Sequence, residues 1–188
     1  RKTEMLPSRM AMTAGTEIHY KTENFQLTGS FKLRGASAKL SSLPVDRPVI
    51  TASSGNHGIA CSLAAQRTGH KLTVVLPENV IDQKRKSIEA YGTRIVIAGA
   101  DSSLAEVHAK SLAEAEGHTY VSPYNDAEVI AGQGTVGLEL LEQLPRIDNL
   151  FISMGGGGLI SGIGSVLKSM SPDTRIVGVS ASNTAALA

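Results

Sequence analysis

Short apolar runs rich in β-branched residues alternate with longer amphipathic stretches along most of this chain. This alternation predicts βαβ units and a mainly parallel sheet. The predicted strands are 17–21, 49–52, 72–76, 94–98, 119–122, 150–154 and 175–180. The predicted helices are 31–43, 58–68, 81–91, 103–116, 128–144 and 159–169. We therefore expect an α/β fold with three layers and two lobes, in which helices cover both faces of open parallel sheets.

The ends of the helices are marked by glycines, which divide the chain into compact units. Gly69, Gly92 and Gly117 each follow an amphipathic run, at the place where a glycine can adopt a positive φ. The units between residues 48 and 124 are predicted to form a smaller lobe that carries a Ser-Ser-Gly-Asn-His loop. Residues 1–47 and 125–188 are predicted to form a larger lobe, incomplete at its C-terminus.

Composition favours a soluble globular protein, because 41% of the 188 residues are hydrophobic and 19% are charged. The formal net charge of +1 gives no electrostatic basis for binding nucleic acid or an anionic membrane. We find neither eighteen consecutive apolar residues nor a basic-then-apolar leader, and we expect neither a membrane span nor secretion. Cys61 is the single cysteine, which favours a cytoplasmic protein. The chain begins at Arg1 without a methionine, and we expect it to be part of a longer protein.

Lys32 is the first candidate for chemistry. It lies at the predicted start of a helix, between Phe31 and Leu33 and after a Thr-Gly-Ser turn. Apolar neighbours desolvate a lysine, which favours the neutral amine and suits a covalent bond to a carbonyl compound. Taken alone, so short a motif more often marks an ordinary surface lysine in a first helical turn.

A polar loop follows the strand predicted at 49–52. Loops at the carboxyl ends of parallel strands are where open α/β sheets bind ligands, and the amides of a helix start favour an anion such as a carboxylate. The side-chain amide of Asn56 can bond a ring hydroxyl or a carboxylate. The alternative is that Ser53 and Ser54 only cap the helix and that His57 is a structural histidine.

Four successive glycines, 155–158, lie between a predicted strand and a predicted helix. Without β-carbons they allow a ligand to approach the backbone closely, and amides at a helix start suit a phosphate. Neither the G-x-G-x-x-G spacing of a dinucleotide site nor a P-loop fits this run. A buried amine, a polar loop and a phosphate site together match one cofactor, pyridoxal 5′-phosphate.

The sequence contains no motif for two other kinds of catalytic site, a serine triad and a zinc site. A serine triad lacks a G-x-S-x-G sequence, and no metal is predicted because the remaining histidines lack the paired spacing of a zinc site. These histidines are His19, His70, His108 and His118.

With these segments in order, the chain resembles the fold-type II pyridoxal-phosphate enzymes, the tryptophan synthase β superfamily. Within it, the chain is most similar to the branch of serine/threonine dehydratases and serine racemases. The segments that carry the resemblance are 21–36, 53–58, 129–135 and 155–159.

The resemblance implies a role for each matching residue. Lys32 binds the cofactor covalently, Phe31 packs beside its ring, and Asn56 bonds its ring hydroxyl. Ser54 faces Lys32 across the cofactor, where racemases exchange a proton on the opposite face. The phosphate is bound by the amides of Gly155, Gly156, Gly157, Gly158 and Leu159. The substrate carboxylate is bound by Ser53, Ser54, Asn56 and His57.

The resemblance further implies a homodimer that converts a hydroxy-amino acid, such as L-threonine or L-serine, to a 2-oxo acid and ammonia by β-elimination. Racemisation and β-replacement of the cysteine synthase type stay open as alternatives. A non-catalytic pyridoxal-phosphate-binding protein is disfavoured because Lys32, Ser54 and Asn56 are all present. Ser180-Ala181 stands where dehydratases place glutamate and proline, which leaves the substrate preference open.

Overall fold

The computed structural model describes residues 1–10 and 15–183, and this part contains eight strands and six α-helices. The strands are β1 (Met5–Pro7), β2 (His19–Lys21), β3 (Val49–Ala52), β4 (Leu72–Leu76), β5 (Arg94–Ile97), β6 (Thr119–Tyr120), β7 (Asn149–Ser153) and β8 (Arg175–Val179). The helices are α1 (Lys32–Ser42), α2 (Asn56–Thr68), α3 (Asp82–Glu89), α4 (Ser102–Glu116), α5 (Ala127–Gln143) and α6 (Gly158–Met170). A short 3₁₀ turn spans Glu23–Phe25.

Parallel strands dominate the sheets. Strands β5, β4, β3 and β6 form a four-stranded parallel sheet in that order, and β7 pairs with β8 in a second parallel sheet. Only β1 and β2 pair antiparallel among the described strands. The predicted α/β class is confirmed, and the predicted bounds of β3 and β4 match residue for residue.

Most other predicted elements differ from the structure by one or two residues at an end, and three differences have a local cause. Strand β1 was not predicted, because three residues give no recognisable alternation and only pairing with β2 makes them a strand. The strand predicted at 119–122 ends at Tyr120, before the turn that contains Pro123, which has no N–H to donate. Helix α2 begins at Asn56, two residues earlier than predicted, since Gly55 acts as its N-cap.

Helices cover both faces of the four-stranded sheet. Because side chains alternate along a strand, Val49 and Val74 pack with α1 and α2, whereas Ile50 and Val75 pack with α4 on the other face. All residues of β3 and β4 are buried, as expected for strands covered on both sides. No helix in the described part of the chain is long and apolar enough to cross a membrane.

A separate apolar cluster joins α5 and α6 to β7 and contains Leu140, Ile152 and Leu167. Helix α1 connects the four-stranded sheet region to this cluster, because it packs against α2 and also against α5. Its Lys39 forms ion pairs with Asp126 and Glu128 at the start of α5. The division into lobes of 48–124 and of 1–47 with 125–188 stays a prediction.

Glycines let three helices approach one another at backbone distance. A Cβ on Gly132 of α5 would lie 2.6 Å from the Arg34 carbonyl oxygen of α1. A Cβ on Gly162 of α6 would collide with the Ile130 carbonyl oxygen and lie 2.7 Å from the Gly134 nitrogen, both in α5. These contacts fall near the beginning of each helix, so the N-terminal ends of α1, α5 and α6 gather in one place.

A nearly buried ion cluster connects the N-terminal segment to α1 and α5. Arg34 contacts Glu139 at 2.6 Å and Glu23 at 2.7 Å, and Lys21 contacts Glu139 at 2.5 Å. Burial raises the pKa of the Glu139 carboxyl, but hydrogen bonds from Arg34 and Lys21 outweigh it and lower that pKa to about 2. The two positive and two negative charges balance only while Glu139 is ionised.

Replacing Glu139 by glutamine is therefore expected to lower the free energy of unfolding at pH 7 by about 3 kcal/mol, because Lys21 then loses its counter-charge. The native carboxyl has a lowered pKa, so its contribution is present above the ordinary value of 4.5 and is lost as pH falls towards 2. Urea unfolding at pH 7 and at pH 3 measures this effect: the difference in the free energy of unfolding between variant and wild type should be smaller at pH 3 than at pH 7.

The matched control is Glu142→Gln, whose ion pair with Lys2 is exposed to solvent. This control is expected to change the free energy of unfolding by less than about 1 kcal/mol. Equal losses in the two variants would show that the cluster around Arg34 contributes no special stability.

Candidate active site

Lys32 is the first residue of α1 and is half-buried. Its Nζ donates a hydrogen bond to the carbonyl oxygen of Pro123 at 2.6 Å, and it lies 5.3 Å from the ring centre of Phe31. Burial lowers the pKa of this amine. The structure thus places Lys32 in the desolvated position that a nucleophilic amine requires, with Phe31 beside it.

The polar loop at 53–57 joins the carboxyl end of β3 to the start of α2. Ser53 Oγ accepts a hydrogen bond from the Gly55 nitrogen at 3.2 Å, and Ser54 is half-buried beside it. No side chain caps α2, so the structure gives no support to a capping role for Ser53 or Ser54. The side chain of Asn56 is exposed at the helix start, next to amides that have no intrahelical acceptor.

The His57 side chain is buried and only 2% exposed. Its Nε2 donates to the carbonyl oxygen of Val121 at 3.3 Å and lies 3.4 Å from the sulfur of Cys61. Burial, together with the charge of Lys32, lowers the pKa of His57 to about 3, so the ring is neutral. Because the ring is buried, His57 can contact a ligand at the helix start only through its backbone N–H.

The glycine run at 155–158 forms the entry to α6. Gly157 is the N-cap residue, with φ of +86°, and no side chain caps the helix. By contrast, Asp101 and Asp126 cap α4 and α5 through their carboxylates. A Cβ on Gly156 would lie 2.6 Å from the ring of Tyr124, so this position also requires glycine. The amides at this helix start are therefore left for an external anion, and a phosphate fits them.

One turn connects all three predicted motifs. We call residues Val121, Ser122, Pro123, Tyr124 and Asn125 the 121–125 turn; it links β6 to α5. The turn receives hydrogen bonds from His57 at Val121 and from Lys32 at Pro123, and the ring of Tyr124 lies against Gly156. The reactive amine and the glycine run thus contact adjacent residues.

The importance of Ser122 and Pro123 was missed at the sequence level. The available signal was positional: β6 runs parallel to β3, and parallel neighbours end at the same edge of a sheet. The turn after β6 therefore lies next to the polar loop after β3.

Comparison with known proteins decides the family. The model of the pyridoxal-phosphate dependent enzyme family matches residues 1–188 of this chain. The chain belongs to that family. Its predicted cofactor, pyridoxal 5′-phosphate, is confirmed by this membership.

Individual members of the pyridoxal-phosphate dependent enzymes match nearly the whole chain. A catabolic L-threonine dehydratase of Staphylococcus aureus (strain bovine RF122 / ET3-1) is 38% identical over 194 residues, covering 100% of this chain and 56% of that protein. The processed form of threonine deaminase isoform 2 from Solanum lycopersicum superposes with a TM-score of 0.86 at 40% identity, covering 89% of this chain and 50% of that one. Maize serine racemase superposes with a TM-score of 0.87 at 37% identity, covering 95% of this chain and 55% of that one.

These matches confirm the predicted branch of threonine dehydratases and serine racemases. The chain spans about half the length of the relatives that it matches. The described residues also fit the family's cofactor physically. The amine of Lys32 is desolvated, and the uncapped glycine entry to α6 offers amides where a Cβ would block the approach.

Proposed function

We propose that the protein containing this chain removes the β-hydroxyl group of an amino acid such as L-threonine or L-serine and releases a 2-oxo acid and ammonia. The observation that carries the proposal is the 121–125 turn, which holds the amine of Lys32 beside the glycine entry to α6. The similarity to L-threonine dehydratase and threonine deaminase supports elimination as the main reaction.

Pyridoxal phosphate, when bound, supplies an electron sink for the charge that develops at the substrate Cα. Lys32 would hold the cofactor covalently, and its amine would also accept the proton from the substrate Cα. This second role needs a neutral amine, which burial of Lys32 favours. Phe31 packs beside the ring and Asn56 bonds its hydroxyl. The phosphate is bound by the backbone amides of Gly155, Gly156, Gly157, Gly158 and Leu159.

The start of α2 binds the substrate carboxylate in this proposal. Backbone amides there have no side-chain cap, and the exposed amide of Asn56 adds a donor. Ser53 and Ser54 contribute from the carboxyl end of β3, and His57 contributes through its backbone N–H because its ring is buried.

The direct test is to incubate the full-length protein and pyridoxal phosphate with L-threonine, L-serine and 3-hydroxyaspartate, and to quantify ammonia and 2-oxo acids. Ammonia release from at least one of the three is expected. A protein that binds the cofactor but neither releases ammonia nor forms a D-amino acid from any of them would instead be a non-catalytic binding protein. Adding sulfide to the assay tests for β-replacement.

Racemisation is the second candidate, favoured by the similarity to maize serine racemase and by the position of Ser54 at the carboxyl end of β3. We expect Ser54→Ala to reduce the conversion of L-serine to D-serine by about 10²-fold or more, because a hydroxyl that delivers a proton to the opposite face is lost. The formation of pyruvate from L-serine should change far less. Chiral chromatography and a pyruvate assay on the same samples measure both.

Ser87→Ala is the control, since Ser87 lies on α3 and its hydroxyl bonds the Gln83 carbonyl within that helix. If Ser54→Ala lowers the formation of D-serine and of pyruvate equally, Ser54 has no specific role in racemisation.

We further propose that the protein is a cytoplasmic homodimer. The resemblance to this branch supports the dimer, and the buried single thiol of Cys61 suits a reducing compartment. Light scattering coupled to size-exclusion chromatography of the full-length protein tests the oligomeric state.

A further inference from the structure

Ser122 lies in the 121–125 turn, is 8% exposed, and makes two hydrogen bonds to the backbone of that turn. Its Oγ accepts from the Asn125 nitrogen at 3.0 Å and from the Tyr124 nitrogen at 3.4 Å. Serine hydroxyls that accept from amides two and three residues ahead fix the backbone of a turn.

One of these amides shares a peptide plane with the acceptor of Lys32. The Tyr124 N–H and the Pro123 carbonyl belong to the same planar trans peptide, so they point in opposite directions. Ser122 contacts the N–H of this peptide, and Lys32 Nζ contacts its carbonyl oxygen at 2.6 Å. The orientation of this one peptide plane therefore determines whether the Pro123 carbonyl oxygen can accept the hydrogen bond from Lys32 Nζ.

We propose that Ser122 is a positioning residue for Lys32: its hydroxyl orients the peptide between Pro123 and Tyr124 so that the carbonyl receives the amine. This role concerns the lysine side chain itself, and it bears on catalysis only through the proposed function, in which Lys32 carries the cofactor.

The flanks of this peptide are held by other contacts. On one side, the Val121 carbonyl accepts from the Thr51 hydroxyl at 2.7 Å and from His57. On the other side, the Tyr124 ring is confined by Gly156. Between these anchors the Ser122 hydroxyl contacts the N–H of the peptide itself, on the side opposite to the Lys32 contact.

The surroundings of Lys32 indicate how the amine responds when its acceptor moves. The titratable groups that act on it are His57 and Cys61, both from α2. Both are uncharged at neutral pH, because burial lowers the pKa of His57 to about 3 and raises that of Cys61 to about 12. From the 121–125 turn, Tyr124 directs its hydroxyl to Glu106. A Lys32 ammonium without the Pro123 carbonyl thus has no counter-charge among these groups and turns towards water.

The test measures the protonation of Lys32 in cofactor-free protein by competitive acylation between pH 7 and pH 11, with mass spectrometry of the Lys32 peptide. Ser122→Ala is expected to raise the pH midpoint of Lys32 labelling by about one unit, towards the ordinary value for a lysine. Ser122→Thr should keep the wild-type midpoint, because its hydroxyl can accept the same hydrogen bonds. Ser87→Ala serves as the remote control.

Ser122→Cys provides a second variant of similar size whose sulfur is a weak acceptor, and it is expected to shift the midpoint in the same direction as Ser122→Ala. A lowered melting temperature with an unchanged Lys32 midpoint would show that Ser122 is only structural. A shift in Ser122→Thr as large as that in Ser122→Ala would also overturn the proposal. Failure of the protein to bind pyridoxal phosphate would contradict the proposed function but leave this result unaffected.

Discussion

Replacing Lys32 by alanine is expected to abolish covalent binding of pyridoxal phosphate and to reduce ammonia release from the best hydroxy-amino acid by about 10³-fold or more. The reason is that, in the proposed function, one amine both attaches the cofactor and accepts the Cα proton. In the structure this amine is half-buried and its pKa is lowered. The visible absorption of the lysine-bound cofactor and the initial rate of ammonia release measure the two effects separately.

Two further variants test whether the effect depends on the Lys32 amine itself. Lys32→Arg keeps a positive charge at the start of α1 but does not form the covalent bond, so it should fail as completely as Lys32→Ala. Lys84→Ala, on the exposed face of α3, should retain both absorption and activity. Normal turnover in Lys32→Ala would assign the reaction to another residue.

Replacing Gly162 by alanine is expected to destabilise the protein by about 3 kcal/mol, because the new Cβ collides with the Ile130 carbonyl oxygen of α5. The neighbours are backbone atoms of a packed helix, so they cannot rotate away as a flexible side chain would. For a chain of this size the loss corresponds to a fall in melting temperature of roughly 6–12 °C. Thermal unfolding followed by circular dichroism measures it.

Gly164→Ala is the matched control in the same helix. Among the described residues a Cβ there would meet Ile176 alone, at 3.8 Å, so the substitution should be neutral or raise stability by up to about 1 kcal/mol through helix propensity. A melting temperature of Gly162→Ala equal to that of Gly164→Ala would mean that α5 and α6 do not approach at backbone distance.

The crossing at Gly162 also bears on the site. Helix α6 begins at the glycine run, and its contact with α5 lies only one turn further along. Helix α5 in turn contacts α1, which begins with Lys32, through Gly132 and Gly35. Close packing of the three helices therefore fixes the position of the Lys32 amine relative to the backbone amides at the start of α6.

Local patterns predicted much of this arrangement. Strands β3 and β4 were found residue for residue because they are short apolar runs bounded by turn residues. The glycine run at 155–158 was identified by its composition at a helix start, and Lys32 by its apolar neighbours and by the surrounding segment 21–36, which carries the family resemblance. In both cases the signal lies within one run of consecutive residues.

The residues that were missed depend on neighbours distant in sequence. Ser122 and Pro123 acquire their significance only because β6 pairs with β3 and because Lys32 reaches across from α1. Likewise, nothing in the loop at 53–57 indicates that the His57 ring turns inward to Val121, since that contact joins residues 64 positions apart. Three-dimensional contacts, rather than local sequence, determined these assignments.

The central claim is that Lys32 carries pyridoxal phosphate next to the glycine entry of α6. The most direct measurement is reduction of the cofactor-treated protein with borohydride, followed by proteolysis and mass spectrometry of the peptides. We expect the reduced cofactor on a single peptide, attached to Lys32. Attachment to a different lysine, or recovery of every peptide unmodified, would contradict the account.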